Sequence, residues 1–132
     1  MNDKTIIKTL ELENDLCVKI YDQSKKLIGD RYQVIMDVEI EIPITHSRLE
    51  KDHPLLSDIQ KLKQLLGDKV VFKKTREKIF IDGKKKESVM NSMIDSFITD
   101  IIPYLSRPDF PGKFIKKQYQ DKLKKQSRLQ PE

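Results

Sequence analysis

Apolar and polar side chains alternate in the stretch Tyr32-Gln33-Val34-Ile35-Met36-Asp37-Val38-Glu39-Ile40-Glu41-Ile42, which decides the fold. Every even-numbered position is apolar, and four of the five odd-numbered positions are polar or charged. A period of two over this length is typical of a long β-strand with one buried face and one face in water. Pro43 ends the pattern, because proline has no N–H to donate to a sheet.

Two shorter strands are predicted before this stretch. Residues 5–13 mix β-branched side chains with alternating charge, and residues 16–21 alternate in a similar way. An Asn-Asp pair at residues 14–15 and a Gly-Asp pair at residues 29–30 favour turns on either side of the second strand. Three sequential strands joined by short turns predict an antiparallel meander.

A helix and a fourth strand are predicted next. Pro54 fits the first turn of a helix, apolar residues at three-and-four spacing continue it to Leu66, and Gly67 ends it. Residues 70–81 are predicted to form one long, charged strand rather than a hairpin, since no glycine or asparagine marks a turn within them. Asp82 then suits the N-cap of the following helix.

The strongest amphipathic pattern covers residues 89–105 and predicts the main core helix. This helix is expected to lie on the strand face made by Val34, Met36, Val38 and Ile40. Pro103 and a loop at residues 107–112 are expected to end it, and residues 113–129 predict a thin helix that frays after Gln126. The apolar stripe of that last helix consists of Phe114, Ile115, Tyr119, Leu123 and Leu129.

The predicted fold class is α+β, with an antiparallel sheet of about four strands in the order β-β-β-α-β-α-α, covered on one face by helices. A chain of 132 residues has the usual size of one domain. Residues 1–132 are therefore expected to form a single domain, with residues 127–132 as a disordered tail.

The composition predicts a modest core under a heavily charged surface. Hydrophobic residues make up 37% of the chain and charged residues 36%, against the usual charged fraction of about 25%. The single cysteine, Cys17, excludes an intramolecular disulfide. The first residues are polar, and no apolar run approaches the roughly 20 residues that span a membrane, so the reducing cytoplasm is the expected location and no membrane partner is expected.

Three short motifs resemble a family of small uncharacterised bacterial proteins of unknown function. They are residues 21–32 (Tyr-Asp-Gln-Ser-Lys-Lys-Leu-Ile-Gly-Asp-Arg-Tyr), residues 39–43 (Glu-Ile-Glu-Ile-Pro) and residues 107–111 (Arg-Pro-Asp-Phe-Pro). The resemblance implies a bacterial source and carries no functional residue with it.

Positive charge is concentrated in two segments of a chain whose net charge is +5. Residues 73–86 hold seven bases against two acids, and residues 113–132 hold the same numbers. The bases that we single out as candidate anion-binding residues are Lys73, Lys74, Arg76, Lys84, Lys85 and Lys86. The last three follow Asp82-Gly83 between a predicted strand and a predicted helix, where a helix N-terminus attracts anions, although the spacing of a P-loop is absent.

Two other groups of residues suggest metal or thiol chemistry, and each has a simpler interpretation. On a helix, His46, Glu50 and His53 would share a face, but Pro54 disfavours helix there, so a solvated loop is favoured. Cys17 has no catalytic signature around it and is predicted to be a small packing residue.

Three carboxylates, Asp37, Glu39 and Glu41, line one face of the long strand. Such a row could bind a divalent cation or exchange protons. The wet face of a sheet, neutralised across the strands by Lys8 or Lys19, is the favoured interpretation.

The function predicted from these observations is a non-enzymatic protein-interaction or binding module. The Pro-Asp-Phe-Pro loop at residues 108–111 and the last helix are expected to face a protein partner or to close a homodimer. The alternative is an anion or nucleic-acid binder that uses residues 73–86 and 113–128; nucleic acid is not favoured, because the second segment has only two aromatic residues to stack on bases. A small metal-dependent enzyme is the second alternative. No catalytic residue, metal or cofactor is expected.

Overall fold

The computed structural model describes residues 5–45 and 59–129, with side chains as far as Gln126. Nine elements lie in the described residues: β1 Thr5–Glu11, β2 Cys17–Asp22, β3 Lys25–Lys26, β4 Arg31–Pro43, α1 Ile59–Leu66, β5 Lys69–Asp82, α2 Lys86–Asp100, α3 Ile102–Leu105 and α4 Phe110–Leu129. The protein is therefore α+β, as its sequence predicts. The long strand and the continuous charged strand, β4 and β5, are confirmed.

The five strands form an antiparallel sheet in which β4 has the most partners. The order is β1-β2-β4-β3, and β5 also pairs with β4. β2 and β3 follow one register along β4, since Asp22 faces Met36 and Lys25 faces Gln33. The short strand β3 is an addition to the predicted meander.

The alternation in β4 is confirmed by burial. The side chains of Val34, Met36, Val38, Ile40 and Ile42 are all buried. On the other face, Asp37 and Glu39 are half-buried and Glu41 is exposed, while Ile35 is buried. One face of the strand therefore belongs to the core over almost its whole length.

The described residues form two compact units, each built from two separate stretches of chain. The first unit contains the chain up to Ile40 together with Lys73–Arg107, and the second contains Glu41–Phe72 together with the chain from Pro108. β4 and β5 contribute residues to both units. The expectation of a single domain stays a prediction.

In the first unit, α2 packs on the predicted face of the sheet. Hydrogen bonds join Gln33 to Glu77 and Asp37 to Thr75, so these odd-numbered residues of β4 and β5 share one face. Arg76 then points to the opposite face, where its guanidinium lies 5.9 Å from the centre of the Phe97 ring. The buried residues that α2 contributes are Met90, Met93, Ile94 and Phe97.

A single side chain attaches the β1–β2 turn to the end of α3. The amide nitrogen of Asn14 donates to the backbone oxygens of Leu105 and Arg107, at 2.8 and 2.9 Å. Its Oδ1 accepts from the backbone N–H of Leu16 at 3.4 Å. Asn14 therefore satisfies the Leu105 carbonyl at the end of α3 and the Arg107 carbonyl in the turn that follows it.

The second unit contains a cluster of three aromatic rings. The Phe72 ring lies edge-on to Phe110 and Phe114, with ring centres 5.8 and 5.7 Å apart. α1 contacts α4, and Leu62 of α1 and Ile115 of α4 are buried. In the Pro-Asp-Phe-Pro segment, Phe110 and Pro111 are buried and Pro108 is exposed. Its predicted contact with a protein partner stays a prediction.

Several predicted boundaries differ from the structure. α2 begins at Lys86 after an N-cap at Lys85 that has no side-chain hydrogen bond, so Asp82 is not the cap. Asp82 instead accepts a hydrogen bond from the backbone N–H of Lys84 at 3.0 Å and closes a turn. The core helix divides into α2 and α3 because Pro103 lies in the first turn of a new helix.

The last helix begins at Phe110, before the predicted start. Pro111 is tolerated there because the N–H of a first-turn residue has no partner within the helix. The helix continues to Leu129, beyond the position where fraying is predicted, and residues 130–132 lie outside the described residues. The predicted helix start at Pro54 lies outside them as well.

Candidate functional site

The six candidate anion-binding bases do not form one cluster. Lys73, Lys74 and Arg76 lie in β5, whereas Lys84, Lys85 and Lys86 lie at the junction of β5 and α2. Alternation along the strand separates the first group further, because Lys73 and Arg76 lie on opposite faces.

Lys73 lies among carboxylates. It lines a small cleft of 180 Å³ together with Asp37, Val38, Glu39 and Thr75. Two neighbouring carboxylates oppose the binding of a further anion at this position.

Residues of the neighbouring strands lie against the carboxylate row of β4. Asp37 accepts a hydrogen bond of 2.6 Å from the Thr75 hydroxyl, and the ammonium of Lys69 lies 2.9 Å from Glu41. Glu39 faces Lys19 directly in the β2–β4 register. The register thus places Lys19 beside Glu39, as the wet-face interpretation predicts.

Arg76 covers a core aromatic ring and lines a cleft of the first unit. The volume of this cleft is 380 Å³, and its lining residues are Arg76, Glu77, Lys78, Ser92, Met93 and Ser96. Glu77 lies between the two bases, and the Ser96 hydroxyl donates to Asp100 at 3.2 Å. The mixed charge of this lining favours neither an anion nor a cation.

The second basic segment lies on α4 in the other unit. Lys113 pairs at 2.9 Å with Asp109, the residue just before α4. Lys116, Lys117, Lys122, Lys124 and Lys125 are exposed. Their side chains form the polar surface of an amphipathic helix.

The junction of β5 and α2 is held tightly against the start of β4. The N–H of Gly83 donates to the backbone oxygen of Asp30 at 2.8 Å. A Cβ at Gly83 would lie only 3.2 Å from that oxygen and from the Tyr32 ring, so glycine permits this close approach. The ammonium of Lys86 lies 4.6 Å from the centre of the Tyr32 ring, a cation–π distance.

The β3–β4 turn lies at the same end of the sheet. The N–H of Leu27 donates to the oxygen of Arg31 at 2.8 Å, and the N–H of Arg31 donates to the oxygen of Ile28 at 3.1 Å. Gly29 has a φ of 63°, which few other residues adopt. The Arg31 guanidinium lies 3.9 Å from the Asp82 carboxylate and forms a second link between the turn and the end of β5.

Four large apolar side chains at this end of the sheet are exposed to water. The exposed fractions are 39% for Leu27, 79% for Ile28, 55% for Ile79 and 64% for Phe80. We call these four residues the apolar tip. Phe80 also has a φ of 58°, which is rare for a bulky residue.

Basic residues flank the apolar tip in both stretches of the sequence. We call them the basic rim: Lys25, Lys26, Arg31, Lys78, Lys84, Lys85 and Lys86. The same two stretches, residues 25–31 and 78–87, hold three acids, Asp30, Asp82 and Glu87, which leaves an excess of four positive charges. One of these acids, Asp82, already pairs with Arg31.

The candidate anion-binding residues of the sequence include three of the seven residues of the basic rim, Lys84, Lys85 and Lys86. The other four, and the apolar tip, are not among them. The available signal was Lys-Lys-Leu-Ile-Gly-Asp-Arg, an apolar pair between bases at a turn. Its partner, Lys-Ile-Phe-Ile, lies about 50 residues later in the chain, and only the pairing of β4 with β5 brings the two stretches together.

The remaining candidates of the sequence are resolved in part. Cys17 is exposed, so its predicted role as a packing residue is wrong. The hypothesis of a metal at His46, Glu50 and His53 lies outside the described residues. Within residues 5–45 and 59–129, no group of three or more potential ligands is arranged to hold a metal ion.

No helix in that part of the chain has both the length and the apolar character to cross a membrane.

No protein-family model, no curated protein and no solved structure matches this chain.

Proposed function

We propose that this protein is a non-enzymatic binding module whose first unit binds an anionic partner through the basic rim. The observation that carries the proposal is the meeting of two basic stretches, far apart in sequence, at one end of one sheet. Seven bases against three acids give this end a positive potential that attracts anions and accelerates their encounter.

Lys84 and Lys85 are the side chains that we expect to contribute most. Both are exposed, whereas Lys86 rests on the Tyr32 ring and Arg31 pairs with Asp82. They also precede the first turn of α2, where backbone N–H groups favour negative charge. Lys73 and Arg76, with carboxylate and aromatic neighbours, contribute less in this proposal.

The proposed compartment is the cytoplasm. An exposed Cys17 stays a thiol in a reducing compartment, whereas an oxidising one favours disulfides between molecules.

Retention on immobilised heparin, a simple polyanion, tests the proposal. We expect the protein to bind at about 50 mM salt and to elute well before about 500 mM, because salt screens exposed charges. The variant Lys84→Glu/Lys85→Glu is expected to lose most of the retention. The matched control Lys116→Glu/Lys117→Glu makes the same change in net charge on α4. We expect the heparin column to retain this variant nearly as well as the unchanged protein.

Two results would contradict the proposal. One is retention that does not change between the two salt concentrations. The other is an equal loss in both variants, which would show that net charge alone, and not the basic rim, decides binding.

A further inference from the structure

We infer that the anionic partner is the surface of a lipid bilayer with anionic headgroups. The apolar tip enters the interfacial region, and the basic rim contacts the headgroup phosphates and carboxylates. This inference rests on the proposed function and names the class of partner for the same site.

The apolar tip is the first reason. Single exposed apolar residues are common on soluble proteins, but here four of them lie on two segments that adjoin at one end of the sheet. Exposed apolar groups of this kind occur at interaction surfaces. Ile28 lies in the β3–β4 turn and Phe80 lies near the end of β5, and both are more than half exposed. The hydrogen bond from Gly83 to Asp30 and the ion pair between Arg31 and Asp82 hold these two segments at one end of the sheet.

The arrangement of charge is the second reason. Bases flank the apolar tip in both stretches, on either side of Leu27-Ile28 and on either side of Ile79-Phe80. Apolar side chains bordered by Lys and Arg are the composition that binds anionic membrane surfaces, where burial of apolar area and attraction to headgroups add. Each lysine near such a surface strengthens binding roughly fivefold.

The chemistry of the tip favours lipid over nucleic acid. Three of its four members, Leu27, Ile28 and Ile79, are aliphatic and cannot stack on bases. Binding of single-stranded nucleic acid relies on aromatic platforms, and the tip has one aromatic ring. Aliphatic chains are suited to the acyl region below the headgroups.

The backbone at Phe80 is the third reason. A phenylalanine at φ 58° is strained, and such strain in proteins collects at functional positions. Here the strained residue holds its ring in water, where it gains little burial in return. Burial of the ring at an interface would offset the cost of this conformation.

The expectation of no membrane partner came from the lack of an apolar run long enough to span a bilayer. Binding at the surface requires no such run. The inference therefore replaces that expectation with an interfacial contact.

A tryptophan placed in the tip tests the inference directly. The chain has no tryptophan, so the variant Phe80→Trp carries a single tryptophan, whose emission reports on the apolar tip. We expect a blue shift of its emission, and quenching by brominated acyl chains, with phosphatidylcholine vesicles that contain about a third phosphatidylserine. Pure phosphatidylcholine vesicles should give a much smaller shift.

The control is Tyr104→Trp in α3. Asn14 attaches the end of α3 to the β1–β2 turn, and β2 runs from that turn toward the apolar tip, so Tyr104 lies at the opposite end of the first unit. Its emission should not change with either kind of vesicle.

Co-sedimentation with the same vesicles separates the apolar and charged contributions. The variant Ile28→Ser/Phe80→Asn keeps the positive charge, and asparagine tolerates a positive φ. We expect it to bind phosphatidylserine vesicles at least about tenfold more weakly and to keep its heparin retention. The variant Lys84→Gln/Lys85→Gln should lose roughly thirtyfold on vesicles and should also lose heparin retention.

The outcomes distinguish the inference from the proposed function. Heparin retention without vesicle binding, or vesicle binding that Ile28→Ser/Phe80→Asn leaves unchanged, overturns the inference and leaves the proposed function standing. Failure to bind either ligand overturns both. Equal binding to neutral vesicles, or tighter binding to a single-stranded oligonucleotide or an acidic protein than to vesicles, also overturns the inference. Circular dichroism of each variant verifies that the fold is retained.

Discussion

Phe80 is the residue whose conformation its amino-acid type explains least. The positive-φ residues of the described chain are Asp15, Gly29, Gly67 and Phe80. The first three are residue types that tolerate this region in turns and at helix ends. Phenylalanine does not, and its Cβ makes the conformation cost about 1–2 kcal/mol.

Replacing Phe80 with glycine is expected to stabilise the protein. The free energy of unfolding should rise by about 1 kcal/mol, because glycine relieves the strain and the exposed ring gives up little burial. Urea denaturation measures the change. Ile79→Gly, at a neighbouring exposed position without positive φ, is the control and should lower the stability by a similar amount. A less stable Phe80→Gly variant would mean that the ring makes a stabilising contact in the free protein.

Asn14 shows how little of a residue's role its local sequence can reveal. The Asn-Asp pair predicts a turn, and the turn is present. Its side chain, however, binds two backbone oxygens more than 90 residues away in the chain. Turn propensity and helix capping use the same short polar side chain, and only the packed structure decides which carbonyls it meets.

At the scale of elements, α4 combines a buried part and an exposed part in one helix. Ile115 is fully buried in the second unit, whereas Leu123, two turns later, is 41% exposed. The predicted apolar stripe therefore belongs to the core only over the first part of the helix. The period of the apolar stripe identifies which face of a helix is buried. It does not show over what length of the helix other elements cover that face.

Two alanine substitutions in α4 should differ strongly in their effect on stability. Ile115→Ala should lower the free energy of unfolding by about 2–5 kcal/mol, since it removes fully buried methyl groups and leaves a cavity. Leu123→Ala should change it by less than about 1 kcal/mol, because the side chain remains partly in water. Chemical denaturation of both variants measures the difference. Equal losses would show that Leu123 has a partner in the native protein that the structure does not contain.

The sequence predicts the strand β5 well, but it does not predict which neighbours the side chains of β5 contact. Continuity of the strand follows from the absence of turn residues in the segment between its two apolar ends. The different neighbours of Lys73 and Arg76 depend on β4 and α2, and no local pattern contains them.

At the scale of the whole molecule, two compact units share the strands β4 and β5. Neither unit is continuous in the chain. A boundary between the units passes through the interior of both strands, between Ile40 and Glu41 and between Phe72 and Lys73. We therefore expect the units to unfold together.

The single-domain prediction can be tested by following one buried residue of each unit through a urea titration. Methyl resonances of Met93 in the first unit and Ile115 in the second are suitable, since both side chains are buried. Coincident midpoints and slopes are expected for one cooperative domain. Separate midpoints would show two domains and would contradict the prediction.

The candidate site was only partly predictable from the sequence, for a reason of distance along the chain. A run such as Lys84-Lys85-Lys86 is visible locally, and so is the Leu27-Ile28 turn. Their joint meaning requires the pairing of β4 with β5 and the contact of Gly83 with Asp30. Charge runs are usually solvated surface, so neither stretch alone indicates a site.

The amino-acid sequence by itself determined the α+β class, the long β4, the continuous β5 and an amphipathic α2, because hydrophobic periodicity and turn chemistry are local properties of the chain. The tertiary structure alone decided that Asp82 closes a turn instead of capping α2, that Phe110 and Pro111 are buried and Cys17 is exposed, and that an apolar tip and a basic rim meet at one end of the sheet. These outcomes depend on which segments pack together, and that choice minimises the free energy of the whole chain rather than of any one segment.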